Sequence, residues 1–388
     1  MASTNGKLIN HIHEDVAFSI LSKLPLKSLW RFACVCKSWS FLFENSHFMD
    51  MVRNNFLASH SEYNDTCHVL RYFLPTDMYD RFWYLCYGKG FETKVELDLP
   101  SFCKDSGHDY LILGSSINGL LCLYDIVGKI VLWNPDSDKS EVIPLSLVES
   151  SLPYNEIKEC VNFTPCGFGY DHVGNDYKVI RHVTYLSKYF THFKIDRQRS
   201  NYSWEIYSLR NNSWRNLEID APVRDISVSR TCSEVYLNGV CHWLGGTYDK
   251  CVVSFNLTNE ILCTTSFSLD MCKRYDFLWW ERHILVLNES IALISNHLKK
   301  IEYFQIFILG EFGVKESWIK LFNIGPLQYI FRPIGVGYKG DIIFAKRNRT
   351  LICFDLNTQV IKEIDIQVNI SIGCQIARYE KYSFLLKK

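Results

Sequence analysis

The sequence predicts a two-domain α+β chain. A unit of three or four helices spans residues 8–58, and an all-β propeller of about six blades follows over residues 62–388, with seven blades as the alternative. Three observations carry this. Apolar residues recur with a helical period from Glu14 to about Leu57. Beyond residue 60 they fall into short runs broken by Gly, Asn, Asp and Pro. Those runs then repeat as a four-run unit about every fifty residues, the spacing of kelch-like blades.

Composition agrees with a folded chain and limits its partners. Of 388 residues, 47% are apolar, which supplies a sizeable core. Lys+Arg and Asp+Glu are both 42, so the net charge is zero and no broad basic footprint for nucleic acid exists. Aromatics at 15% favour strands. The 15 cysteines show no CxxC pair and no zinc-like framework, so buried free thiols in a reducing compartment, cytoplasmic or nuclear, are expected. The first residues lead to His11 and His13 without an apolar stretch of signal type, and no apolar run reaches the length of a membrane span. No membrane partner is expected. Several sequons, among them Asn64, Asn162, Asn256 and Asn288, carry no weight without a signal.

In the helical unit, Val16, Ile20 and Leu24 fall at i, i+4 and i+8, with Ala17 and Leu21 beside them, giving one wide apolar face. Glu14 and Asp15 sit where the helix dipole favours acids, and Pro25 ends the helix by disfavouring helical geometry at Leu24. A second segment places Leu26, Leu29 and Ala33 on one side, and a third carries Val35, Trp39 and Leu42. Asn45 and Ser46 offer a cap for a short fourth helix through Phe48, Met51 and Val52. A unit this small buries little alone and leans on a partner or on the rest of the chain.

In the second domain, three units share one plan. Ile117–Leu123, Leu237–Trp243 and Tyr338–Phe344 each hold a glycine turn and a buried strand. Ile130–Pro135, Val252–Leu257 and Leu351–Leu356 each carry Asn or Asp after an aromatic, suited to an Asx-type turn. Two further blocks, Gly167–Leu217 and Leu285–Leu321, fill the gaps, so five units lie in order between residues 110 and 366. The sixth joins the tail (Cys374–Arg378, Tyr382–Leu386) with the early runs His68–Phe73, Phe82–Tyr87 and Lys94–Leu99, which closes the ring and removes free sheet edges.

The run Ile12–Leu29, continued by Arg31-Phe32, Cys34–Trp39, Leu42 and Phe48, resembles the plant F-box. It departs from the family at Ile12, usually Leu, and His13, usually Pro. The blocks Ser116–Cys122, Trp133–Pro135, Gly167–Asp171, Asp176–Val179, Tyr207–Leu209 and Phe312–Trp318 resemble the plant F-box-associated domain of type one, a kelch-like β-propeller; the S-locus F-box proteins share this layout. The resemblance implies a non-catalytic substrate receptor of a Skp–cullin–F-box ubiquitin ligase. Its helices would dock on a Skp-type adaptor, and through it on a cullin–RING ligase, by Ile12, Val16, Ile20, Leu21, Leu24, Pro25, Leu29 and Val35. Its propeller would hold an unknown protein target. The alternatives are a β-propeller enzyme and an F-box protein with a non-degradative binding role.

Catalytic signatures are not found. No GxxxxGK[ST], GxSxG, HExxH or EF-hand loop occurs, Gly167-Phe168-Gly169 is a lone GxG, and the 12 histidines have no ligand spacing, so no cofactor and no metal is expected. Trp204, Trp214, Trp243 and Trp318 occupy repeat positions and read as blade packing. Trp279-Trp280 cannot both face one side of a strand, so with Arg282 they form a candidate target-binding spot.

Overall fold

The computed structural model describes residues 14–33, 39, 41–58, 67–74, 81–88, 90–125, 127–151, 161–185, 201–219, 234–245, 251–268, 271, 282–297, 300–369 and 373–381. The expected edges Ile12, Val35, Trp279, Trp280 and Tyr382–Leu386 lie outside these residues.

The N-terminal region is helical. Helix α1 spans Glu14–Leu21, α2 spans Leu26–Ala33, a 3-10 turn covers Phe41–Glu44, and α3 spans Ser46–Ala58. Pro25 separates α1 from α2, and its carbonyl accepts the Leu29 N–H at 2.9 Å. Asn45 caps α3, its Oδ1 accepting the Phe48 N–H at 3.0 Å. This last helix runs well beyond the short segment expected, because Phe56 and Leu57 continue its packed face against the propeller.

The rest is a ring of six four-stranded antiparallel sheets. Blade 1 is β4 (Tyr110–Ile112), β5 (Leu121–Asp125), β6 (Ile130–Asn134) and β7 (Lys139–Val142). Blade 2 is β8 (Val161–Asp171), β9 (Asp176–Tyr185), β10 (Asn201–Ser208) and β11 (Ser213–Leu217). Blade 3 is β12 (Val235–Leu237), β13 (Val240–Gly245), β14 (Cys251–Asn256) and β15 (Leu262–Ser266). Blade 4 is β16 (His283–Leu287), β17 (Ser290–His297), β18 (Lys300–Leu309) and β19 (Trp318–Ile324). Blade 5 is β20 (Ile330–Val336), β21 (Ile342–Lys346), β22 (Thr350–Phe354) and β23 (Ile361–Gln367).

Blade 6 closes the ring. Its β1 (Cys67–Phe73), β2 (Arg81–Tyr87) and β3 (Thr93–Glu96) come from the start of the domain, and its first strand, β24 (Gln375–Tyr379), comes from the end. Strand β24 pairs antiparallel with β1, Val69 opposite Ala377. Both sheet edges left by the chain ends are therefore satisfied by each other.

The turns follow from the residues that make them. Asn238-Gly239 links β12 to β13 with φ of 48° and 83°, the left-handed pair a two-residue hairpin needs. Asn134, Asn256 and Asp355 each turn their Oδ1 back to accept backbone N–H groups two or three residues on, at 2.8–3.2 Å. At Gly167 a Cβ would stand 2.5 Å from the Cβ of Cys241, so this glycine serves the close approach of blades 2 and 3.

Apolar clusters fill the gaps between successive blades. Trp204 and Trp243 meet between blades 2 and 3, ring centroids 5.8 Å apart. Between blades 1 and 2 Arg181 is buried with two carboxylates, Glu149 at 2.6 Å and Glu205 at 2.7 Å, its guanidinium 3.9 Å from the Trp214 ring centroid. The cluster between blades 4 and 5 is larger, because Phe18, Leu21, Leu26, Leu29, Phe48, Met49, Val52 and Leu57 of the helices join Leu321, Ile324 and Leu327 in it.

Candidate functional site

The N-terminal helices have two faces. On the inner face Leu29 is 1% exposed, and Phe18, Leu21 and Leu57 are buried with the propeller cluster. Polar bonds fix the same side. Trp30 Nε1 donates to the Glu316 carbonyl at 2.9 Å, Arg31 pairs with Glu311 at 2.9 Å, Arg53 Nη1 donates to the Leu321 carbonyl at 3.3 Å, and Asn288 donates to the Phe56 carbonyl. On the outer face Val16 is 51%, Ile20 56% and Phe41 62% exposed. Val16 and Ile20 stand one turn apart on α1, so they form one apolar stripe in water.

This divides the expected adaptor residues. Val16, Ile20 and Pro25 are exposed. Leu21 and Leu29 instead point inward, and Leu24 is half-buried against the same cluster, because the face that the periodicity gives to a partner is partly covered by blade 4. Phe41 and Phe32 are exposed apolar residues that the sequence reading did not assign. Their signal was a bulky aromatic on the polar side of a helix or in the turn after it. The clamp of Trp30 and Arg31 on Glu316 and Glu311 had no sequence signal, since the partners are about 280 residues apart.

The target-binding expectation changes at Arg282. Its side chain is buried, donates to the Met271 carbonyl at 3.3 Å and lies 5.0 Å from the Phe267 ring centroid. Packing by a cation–π contact replaces the exposed role expected for it.

The second feature is the ring axis. The innermost strands β4, β8, β12, β16, β20 and β24 surround a cavity of about 380 Å³. Its wall includes His68, Glu234, Tyr236, His283, Gln375 and Arg378. Burial pushes the imidazoles of His68 and His283 down, to about 4 and about 3, with Arg378 and Arg332 respectively adding to the shift. Glu234 carries the opposite shift, its carboxyl raised by burial to about 8.

Comparison with known proteins places this architecture. The family model described as the F-box associated beta propeller domain matches residues 91–381, three quarters of the chain, and the F-box domain model matches residues 9–50. The chain belongs to the F-box-associated β-propeller family. It has the family's layout of an N-terminal F-box followed by the propeller, although strands β1 and β2 lie ahead of the matched propeller segment and still complete blade 6. An F-box/kelch-repeat protein of Arabidopsis thaliana is 24% identical over 330 residues, covering 82% of this chain and 80% of that protein. An F-box protein of the same plant is 25% identical over 402 residues, covering 92% and 88%. Among solved structures, an oligogalacturonate lyase in complex with manganese overlays with a TM-score of 0.43 at 8% identity, over 73% of this chain and 70% of that one, a likeness too slight to bear on activity. An F-box joined to this propeller implies, in general, a substrate-receptor role in a Skp–cullin–F-box ubiquitin ligase, and members are typically non-catalytic.

Proposed function

We propose that this protein docks on a Skp-type adaptor through the outer face of its F-box, and holds a protein target on its propeller for ubiquitination by the associated cullin–RING ligase. The exposed stripe of Val16 and Ile20, on a helix whose opposite face is packed by Phe18 and Leu21, carries the reading. Pro25 and Phe41 extend it on the same helical unit, and Ile12 and Val35 join it by family resemblance. Leu21, Leu24 and Leu29 hold the F-box to blade 4 and act on docking only by positioning that stripe. The domain boundary falls between Ala58, where α3 ends, and Cys67, where β1 begins. No side chain of the chain is catalytic in this reading. The protein acts by raising the effective concentration of target beside the charged ubiquitin. Trp279 and Trp280 are retained as proposed target contacts, and the place of action is the cytoplasm or nucleus.

The test is capture of a recombinant Skp-type adaptor by the full chain and by a chain lacking residues 1–58. The full chain should retain the adaptor and the shortened chain should not, while the shortened chain keeps its propeller circular dichroism. Equal retention by both, or none by the full chain, contradicts the proposal.

A further inference from the structure

The axial cavity has the volume of a small-ligand site, and most polar groups on its wall are already engaged. The Gln375 amide bonds both backbone groups of Ile112, at 3.1 and 3.0 Å. The Tyr236 hydroxyl donates to the Tyr170 carbonyl at 2.7 Å and stands 3.3 Å from His172 Nε2. Arg378 pairs with Glu380 at 3.0 Å. Asn118 donates to the Tyr177 hydroxyl at 2.9 Å. Among the described residues Arg378 Nε makes no hydrogen bond of its own, and Glu234 supplies the unsatisfied acceptor of the wall. Its Oε2 is shut off from solvent and has no hydrogen-bond partner among the described residues.

The other oxygen of Glu234 is served by the residue's own backbone N–H, but a shielded carboxyl oxygen without a donor is a rare and unfavourable arrangement that calls for a missing partner. The surroundings say which sign that partner has. The imidazoles of His68 and His283 are neutral at pH 7 and supply no positive charge. Cys166, which faces Glu234 from β8, is a thiol held neutral by burial. Glu289 also lines the cavity, and the guanidinium of Arg378 is already paired. An anion would meet the acidic side chains of Glu234 and Glu289 there, whereas a cation would meet a carboxyl oxygen lacking a donor.

We propose that the axial channel binds an organic cation, a primary ammonium or guanidinium on a slender stem, with Glu234 as its counter-ion. The cavity admits one side chain or one small amine and no folded domain. Two sources share this chemistry: a Lys or Arg side chain in an extended segment of the target, and a free small amine. The first rests on the receptor reading above for its biological sense; binding of the cation itself does not.

Binding should release a proton, because Glu234 is mostly protonated at pH 7 with its carboxyl at about 8 and must ionise to pair. Titration calorimetry of the full chain at pH 7, in two buffers of different ionisation enthalpy, reads both affinity and protons. The probes are agmatine, the peptide acetyl-Gly-Arg-Gly-amide, and its citrulline counterpart as the uncharged control. The expected result is saturable binding of agmatine or the arginine peptide, with close to one proton released and no binding of the citrulline peptide. Glu234→Gln should weaken binding about thirtyfold or more and abolish the proton release. Tighter binding of the peptide assigns the ligand to the target, and tighter binding of agmatine assigns it to a free amine. Failure of both cations to bind, equal binding of the citrulline peptide, or binding by wild type without proton release overturns the proposal. The proton readout on wild type stands even if Glu234→Gln does not fold. Adaptor capture by the same preparation reports separately on the receptor reading.

Discussion

The two domains meet the problem of apolar surface in opposite ways. Each propeller blade is covered by its neighbours, and the ring is completed by β24 lying beside β1, so the domain closes on itself. The F-box helices cannot do this. They cover one face with blade 4 and leave Val16, Ile20 and Phe41 in water. A closed domain is a scaffold, whereas a half-covered one keeps a face for something else.

The largest effect should come from opening the ring. Deleting residues 374–388 removes β24, the strand that pairs β1 and supplies Ala377 and Tyr379 to the cluster with blade 1. The chain should lose cooperative unfolding and precipitate, as read by circular dichroism and light scattering. A truncated chain with an unchanged melting temperature would show that closure is not what holds the domain.

Next is the joint between blades 1 and 2. Arg181→Met leaves Glu149 and Glu205 buried without their shared cation. Loss of one partner from such a buried arrangement costs about 3–5 kcal/mol, measurable by urea unfolding. A loss under about 1 kcal/mol would mean that Trp214 and Phe163 carry the joint by packing alone.

An effect smaller for each histidine and pH unit separates the domains by pH. His68, His242 and His283 are buried in the propeller with imidazoles pushed by burial down to about 4, about 3 and about 3. Below the unfolded value of about 6.5 the unfolded chain binds protons that the folded propeller refuses, so stability is full above that pH. It should fall as pH drops from about 6.5 toward 3–4, by up to about 1.4 kcal/mol per unit for each histidine. His242→Gln should flatten the dependence of melting temperature on pH between 6.5 and 4.

Smallest is the surface clamp. Arg31→Ala removes an exposed ion pair with Glu311 and should leave the melting temperature unchanged within error at physiological salt. A clear drop would show that the F-box is held by charge rather than by the Leu29 face.

The contrast also explains what could be read from the sequence. Propeller turns were legible because their chemistry is local: Asn238-Gly239 needs only its own φ angles, and Asp355 Oδ1 reaches Asn357 and Thr358, two and three residues on. Ring closure was legible because the tail and the early runs each lacked a sheet. The split between F-box faces was not. Ile20 and Leu21 are adjacent apolar residues on one wide helical stripe, and only blade 4, far along the chain, decides that Leu21 is covered and Ile20 is not. Arg282 misled for a similar reason, since Phe267 and the Met271 carbonyl that receive it belong to a neighbouring stretch with no motif. Glu234 gave no signal, because an unsatisfied carboxyl oxygen is a property of the closed ring.

The most direct test of the two-faced F-box measures adaptor affinity and melting temperature together for two variants of the full chain. Val16→Asp with Ile20→Asp places charge on the open stripe. It should weaken adaptor binding about hundredfold or more, since truncating even one central apolar contact commonly costs about 2 kcal/mol, and leave the melting temperature unchanged. Leu29→Ala opens a cavity on the covered face, so it should lower stability by about 2–5 kcal/mol and change adaptor affinity by less than about threefold where the protein remains folded. The opposite pattern, with adaptor binding surviving the aspartates and lost with Leu29→Ala in a folded chain, would contradict the assignment of the open face to the adaptor.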